Sequence, residues 1–131
     1  MYTVMLIDDE PIILEKLRHV IDWEQEGCRI VAEAGNGAEA LKLCRDLKPQ
    51  LIFSDIYMPL MDGIELAEEI KSFLPESLVI LISGYNEFSY AQKAIEAGVF
   101  RYLLKPIRAG ELTKILAEAK ECLAARRQAT E

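Results

Sequence analysis

Five side chains capable of ionic or nucleophilic chemistry stand at the ends of short apolar runs. Asp8 and Asp9 follow Thr3–Ile7, Asp55 follows Leu51–Ser54, Ser83 ends Leu78–Ser83, and Lys105 follows Arg101–Leu104. If the first and third runs are neighbouring strands, three carboxylates converge in one crevice. Two like charges about 4 Å apart repel by roughly 4 kcal/mol at an effective dielectric near 20. A hard divalent cation relieves that repulsion, and Mg2+ takes carboxylate, water and phosphate oxygens at about 2.1 Å. Lys105 adds a compact positive charge, Ser83 a hydroxyl, and Gly84 an unobstructed backbone N–H. Metal, ammonium, hydroxyl and amide around one aspartate provide the positioning and charge stabilisation of phosphoryl transfer. An aspartate can itself be the nucleophile, giving an aspartyl-phosphate. Taken singly, Asp8-Asp9-Glu10 before Pro11 could cap a helix, Asp55 could be a turn residue and Lys105-Pro106 a strand end. Their succession at strand ends is what points to chemistry.

The elements that must position them alternate along the chain. The four runs, with Arg29–Ala34, are rich in Val, Ile and Leu, as strands buried on both faces are. Between them apolar residues recur at helical spacing. Ile13, Leu14, Leu17, Val20 and Ile21 form one stripe; Ala40, Leu43, Cys44 and Leu47 a second; Leu66, Ala67, Ile70, Phe73 and Leu74 a third. Phe88, Ala91, Ala94 and Ile95 form a fourth, and Leu112, Ile115, Leu116, Ala119 and Leu123 a fifth. Pro11, Asp62-Gly63 and Asn86 mark helix starts, and Gly98 marks an end. Five strands each followed by a helix predict parallel pairing with right-handed crossovers. Ligands then bind outside the carboxyl ends of the strands.

Composition excludes several classes. The 131 residues suit one domain, with 51% hydrophobic and 28% charged residues. Fifteen Lys and Arg against 22 Asp and Glu give a net charge of -7, which argues against nucleic acid or an anionic membrane as a partner of this segment. Acidic residues arrive at Asp8 too soon for a signal peptide, and the longest apolar run, Leu78–Ile82, is far too short to span a bilayer. Cys28, Cys44 and Cys122 form no C-x-x-C pair, so neither a disulfide framework nor a zinc site is indicated, and His19 has no metal or catalytic partner nearby. A cytoplasmic location is expected.

Asp8-Asp9, Asp55, Ser83 and Lys105-Pro106, with Met58-Pro59 and Asp62-Gly63 behind the central aspartate, resemble the receiver domain of two-component response regulators. The resemblance covers Met1 to about Leu123, leaving residues 124–131 as a helix end or a linker towards an output domain. It implies a doubly wound, flavodoxin-like (βα)5 fold with strand order 2-1-3-4-5. It also implies that Asp55 accepts a phosphoryl group from a sensor histidine kinase. Mg2+ would be held by Asp8 or Asp9, Asp55 and the Tyr57 backbone carbonyl, Asp9 binding directly and Asp8 through water. Ser83, Lys105 and the Gly84 amide would hold the phosphoryl oxygens, and the bond before Pro106 is often cis. Ser83 and Tyr102 match the family's switch pair. Phosphate adds about two negative charges and strong acceptors, drawing Ser83 inward and opening space for Tyr102. The surface of the Glu87–Ala97 helix, the last strand and the last helix would change.

Ile21-Asp22-Trp23 with Gly27, and Ser83-Gly84-Tyr85-Asn86-Glu87-Phe88, resemble receivers that precede an AraC-type DNA-binding output, which implies control of transcription. Equally, Trp23 and Phe88 could pack a loop and a helix whatever the subfamily. A homodimer through the fourth helix, fifth strand and fifth helix is a further expectation. Two other functions fit less well. A Mg2+-dependent phosphatase of the haloacid-dehalogenase kind wants an acid two residues beyond its nucleophile, where Tyr57 stands; Asp8 has Glu10 at that spacing, but Pro11 follows. A flavin carrier wants hydroxyls and amides in the first loop, where Asp8, Asp9 and Glu10 would repel its phosphate.

Overall fold

A computed structural model describes residues 1–84 and 88–130, without the side chains of 88 and 128–130. Ten elements alternate: β1 (Tyr2–Ile7), α1 (Pro11–His19), β2 (Cys28–Ala34), α2 (Gly37–Leu47), β3 (Leu51–Asp55), α3 (Gly63–Phe73), β4 (Leu78–Ser83), α4 (Phe88–Glu96), β5 (Arg101–Leu104) and α5 (Ala109–Thr130). The five strands form one parallel sheet in the order β2-β1-β3-β4-β5. This is the doubly wound, flavodoxin-like arrangement expected from the sequence.

Alternation along the strands divides the core in two. Val4, Leu6, Phe53, Ile80 and Ile82 face a cluster closed by Leu14 and Leu17 of α1 and Leu112, Leu116 and Ala119 of α5. Met5, Ile7, Ile52, Val79 and Leu81 face the other, closed by Ala40 and Cys44 of α2, Leu66, Ala67 and Ile70 of α3, and Ala94 of α4. Consecutive strand residues point to opposite faces, so a strand covered by helices on both sides is apolar at nearly every position. Trp23 belongs to the first cluster. It meets Phe53 edge-on at 5.6 Å and donates its indole N–H to the Leu17 carbonyl at 2.9 Å, so it closes the α1–β2 loop onto the core.

Several boundaries differ from the sequence reading. β1 and β2 each begin one residue earlier, at Tyr2 and Cys28, and β3 includes Asp55. Backbone pairing, to which side-chain polarity is blind, sets those ends. Helix α1 stops at His19, yet Val20 and Ile21 still pack on the core from the turn beyond it. Leu47 and Ile95 are largely exposed although they fall on apolar stripes. Ala94 and Ala97 seat α4 instead, and Leu47 is the last residue before a left-handed cap at Lys48. Asn86 as a helix start, Glu87 as the first helical residue, and the Tyr85-Asn86-Glu87 part of the motif lie outside the described residues, as does the Phe88 side chain. Helix α5 continues through residues 124–130, past the end of its apolar stripe. Cys28, Cys44 and Cys122 are free thiols. Among the described residues, no helix is long and apolar enough to cross a membrane.

Asp62 begins α3 with a capping box: its carboxylate accepts from Glu65 N–H at 2.8 Å, and Glu65 returns a bond to the Asp62 N–H at 3.2 Å. Gly63 next to it fits against the end of β3. A Cβ there would lie 2.9 Å from the Ile56 Cα and closer still to the Asp55 carbonyl oxygen. Both obstacles are backbone and cannot swing aside. Gly63→Ala should therefore lower stability by about 1–3 kcal/mol, as overpacking does, despite a helix-propensity gain of at most about 1 kcal/mol. Urea denaturation of the two chains measures the difference, and an unchanged or raised midpoint would show that the end of β3 yields.

Candidate functional site

Strand register explains why residues far apart in the chain meet. Ile7 pairs with Ser54, so the next step along each strand sets Asp8 beside Asp55. Asp55 pairs with Ile82, which puts Ser83 one step further on, and Ser83 pairs with Leu104, leaving Lys105 just beyond. Parallel strands end on the same side of the sheet, so all these groups lie at its carboxyl edge. The Lys105 N–H donates to the Ser83 carbonyl at 2.8 Å, and the Ile56 N–H donates to the Ile82 carbonyl at 3.0 Å. The Lys105–Pro106 peptide is cis.

Asp8, Asp9 and Asp55 each offer an oxygen, and these atoms lie within 4.8 Å of one another. Asp8 and Asp55 are buried; Asp9 is exposed. Lys105 Nζ stands 3.2 Å from Asp55 Oδ1 and 3.8 Å from Asp8 Oδ2. The other Asp8 oxygen accepts from the Glu10 N–H at 2.9 Å. Glu10, at the N-cap of α1, makes no side-chain cap. Capping therefore does not account for the acidic group, although Asp8 does steady the entry to the helix.

Burial dominates the electrostatics. It pushes the Asp8 carboxyl up to about 6; the Glu10 N–H opposes the rise, Asp55 adds to it, Lys105 opposes it and Asp9 adds to it. Asp55 is raised for the same first reason, with Lys105 pulling down and Asp9 pushing up. One ammonium against three carboxylates leaves two negative charges in excess when all are ionised. A divalent cation matches that excess. Around one Mg2+ the ligand oxygens sit about 3–4.2 Å apart, so the cluster can close on an ion with small movements or with one member bridged by water.

Ser83 is wholly buried at the end of β4, Gly84 is exposed beside it, and Tyr102 is half-buried on β5 against the second core cluster. Tyr57 is two-fifths exposed on the β3–α3 loop. His19 lies away from the group, its Nδ1 2.9 Å from the Glu15 carbonyl of its own helix. The sequence reading missed two supporting residues. The sequence places Gly63 at a helix start, whereas its missing side chain also lets α3 close on Asp55. Ser54, hidden in an apolar run, is buried and donates its hydroxyl to the Asp55 carbonyl at 3.0 Å. The Asp-Gly pair at fixed distance from Asp55 was a usable signal for the first. Nothing in the sequence marked the second.

The comparisons agree with this arrangement. A family model of the response regulator receiver domain matches residues 4–117. The receiver domain of AraT, a response regulator from Geobacillus stearothermophilus, superposes with a TM-score of 0.89 at 42% identity, covering 96% of this chain and 98% of that one. A two-component transcriptional regulator AraC from Clostridium phytofermentans ISDg gives 0.88 at 28% identity, covering 97% and 98%. The uncharacterized transcriptional regulatory protein YesN of Bacillus subtilis is 39% identical over 124 residues, 92% of this chain but 34% of that protein. The chain thus spans about a third of that relative's length. With its sheet order, its acidic edge and Lys105 beside it, the chain belongs to the response regulator receiver domains, the signalling modules of two-component phosphorelays rather than conventional enzymes.

Proposed function

We propose that this chain is a phosphorylation switch in which Asp55 takes a phosphoryl group from a sensor histidine kinase, with Mg2+ as cofactor. The observation that supports this best is the meeting of Asp8, Asp9 and Asp55 with Lys105 bonded to Asp55. An Asp55 oxygen attacks phosphorus, the P–N bond of the phosphohistidine breaks, and the imidazole leaves with the electron pair. Lys105 neutralises charge that would otherwise oppose the incoming phosphoryl group, and Ser83 and the Gly84 amide receive its oxygens. Asp8, Asp9, Asp55 and the Tyr57 carbonyl would hold Mg2+, which would supply neutralisation of the negative charge gathered there. Phosphorylation then draws Ser83 inward and lets Tyr102 follow, altering the α4–β5–α5 face. That face is also the proposed homodimer surface, where Arg101 and Glu118 pair at 2.6 Å.

Residues 1–123 act as the receiver, and 124–131 serve as a helix end or linker towards a DNA-binding output domain in a cytoplasmic transcription regulator. The AraC-type subfamily is supported by the Ile21-Asp22-Trp23 motif and by likeness to the two-component transcriptional regulator AraC from Clostridium phytofermentans ISDg. The buried packing of Trp23 is structural in any subfamily.

Incubation with Mg2+ and a phosphorylated kinase or acetyl phosphate should add one phosphoryl group, and Asp55→Asn should abolish it; equal labelling by intact mass would remove the site assignment. Lys105→Ala should stay folded yet lose phosphorylation or its structural consequences, and a normal response to phosphate by NMR would contradict the role of its ammonium.

Metal binding should depend on pH with a definite sign. Asp8 is raised from 3.8 to about 6 by folding, so the folded chain holds more protons between those values. Without metal, the Asp8 contribution favours the fold at low pH and is lost as pH rises through about 6. Mg2+ needs the ionised form, so its affinity should fall as pH drops through the same range. At ten times its Kd, Mg2+ should add about 1.4 kcal/mol of stability. Metal-free Asp8→Asn should therefore unfold at higher urea than the parent at pH 7.5 and gain less from Mg2+; a lower midpoint would reverse the assigned sign.

A further inference from the structure

The β3–α3 loop is pinned on both sides of Tyr57. Ile56 is buried, its N–H bonded to Ile82 and its carbonyl accepting from the Gly63 N–H at 2.8 Å. Met58 is buried in the second core cluster. Between them the Tyr57 ring leaves the loop and meets Tyr90 of α4 edge-on, with centroids 5.4 Å apart and planes at 80°. Tyr90 itself packs against that same cluster. The loop beside the acidic group and the helix on the response face are thus joined by one aromatic contact of favourable geometry.

We infer that Tyr90 is a positioning residue for the metal shell: through the Tyr57 ring it sets the direction of the Tyr57 carbonyl and links metal occupancy to α4. The inference rests on the reading of that carbonyl as a metal ligand. With Ile56 and Met58 held, the freedom left to Tyr57 is rotation of the peptides on either side of its Cα. Rotation about the Tyr57 N–Cα bond swings the carbonyl and the Cα–Cβ bond together, so the ring contact with Tyr90 restrains that part of the carbonyl's direction, whereas rotation about Cα–C turns the carbonyl alone. A carbonyl that turns through that N–Cα rotation moves the ring against Tyr90. By reciprocity, a partner of α4 whose affinity is changed by metal changes metal affinity by the same factor. This link acts on metal binding before any phosphate arrives. It is therefore separate from the Ser83–Tyr102 route, which responds to phosphoryl oxygens. A single aromatic pair can carry a coupling of about tenfold at most.

Mg2+ titration of the whole chain, with hydrogen exchange of the α4 amides in the presence and absence of Mg2+, tests this. Tyr90→Phe keeps the ring and should bind Mg2+ within about twofold of the parent. Tyr90→Leu keeps apolar bulk for the core but loses the pair; its Kd should rise about two- to tenfold, and its α4 exchange should cease to respond to Mg2+. Tyr57→Leu removes the contact from the other side while keeping the backbone carbonyl. It should match Tyr90→Leu, and the double variant should lose nothing more. An unchanged Kd in Tyr90→Leu, a retained α4 response, or additive losses in the double variant would overturn the coupling alone. Absence of Mg2+ uptake by the parent chain would overturn the metal reading and the coupling with it.

Discussion

Gathering Asp8, Asp9 and Asp55 at one edge of a sheet is an unfavourable arrangement that the rest of the molecule has to sustain. Burial raises the cost of ionising Asp8 and Asp55, and their mutual repulsion adds to it. Lys105 offsets part of the excess from the far side, at 3.2 Å from Asp55. The remainder leaves a cluster capable of holding a divalent cation. An apolar core on both faces of the sheet makes this tolerable, because β1 and β3 are held by packing that a local electrostatic penalty cannot undo.

The same constraint explains the surroundings of Asp55. Its side chain must face the crevice while its backbone ends a strand and begins a loop. Ser54 bonds its carbonyl, Ile56 continues the pairing to β4, and Gly63 leaves room for α3 to press against the turn. These contacts rigidify the Asp55 backbone rather than its carboxylate. The loop thereafter is anchored at Met58 and closed by Met61 N–H on the Pro59 carbonyl at 2.8 Å, with exposed Leu60 in the left-handed region. Tyr57 is the point at which this held loop reaches α4.

Two kinds of contact accordingly leave the acidic group. Along the sheet, the register from β3 through β4 to β5 brings Ser83 and Lys105 into step with Asp55. Across the loop, the Tyr57–Tyr90 pair reaches α4. Both lead towards the surface built by α4, β5 and α5, where Arg101 and Glu118 already bridge strand and helix. A small displacement at the carboxyl edge therefore meets packed neighbours on two sides.

Much of this was legible in the residues themselves. Polarity switches abruptly where a buried strand leaves the core, so Asp8, Asp55, Ser83 and Lys105 marked the ends of their strands, and alternating strand and helix periods allowed a doubly wound sheet. Hydrophobic spacing was less reliable where a helix is short or ends early: Leu47 and Ile95 have the right spacing but face water, because Ala94, Ala97 and the left-handed turn at Lys48 set how far each helix is covered. The close approach of Gly63 to the Asp55 backbone and the Tyr57–Tyr90 contact were decided by tertiary structure. Periodicity reports which face of an element is apolar. Close approach between backbones, and the meeting of side chains more than thirty residues apart, depend on how the elements are set against each other in space.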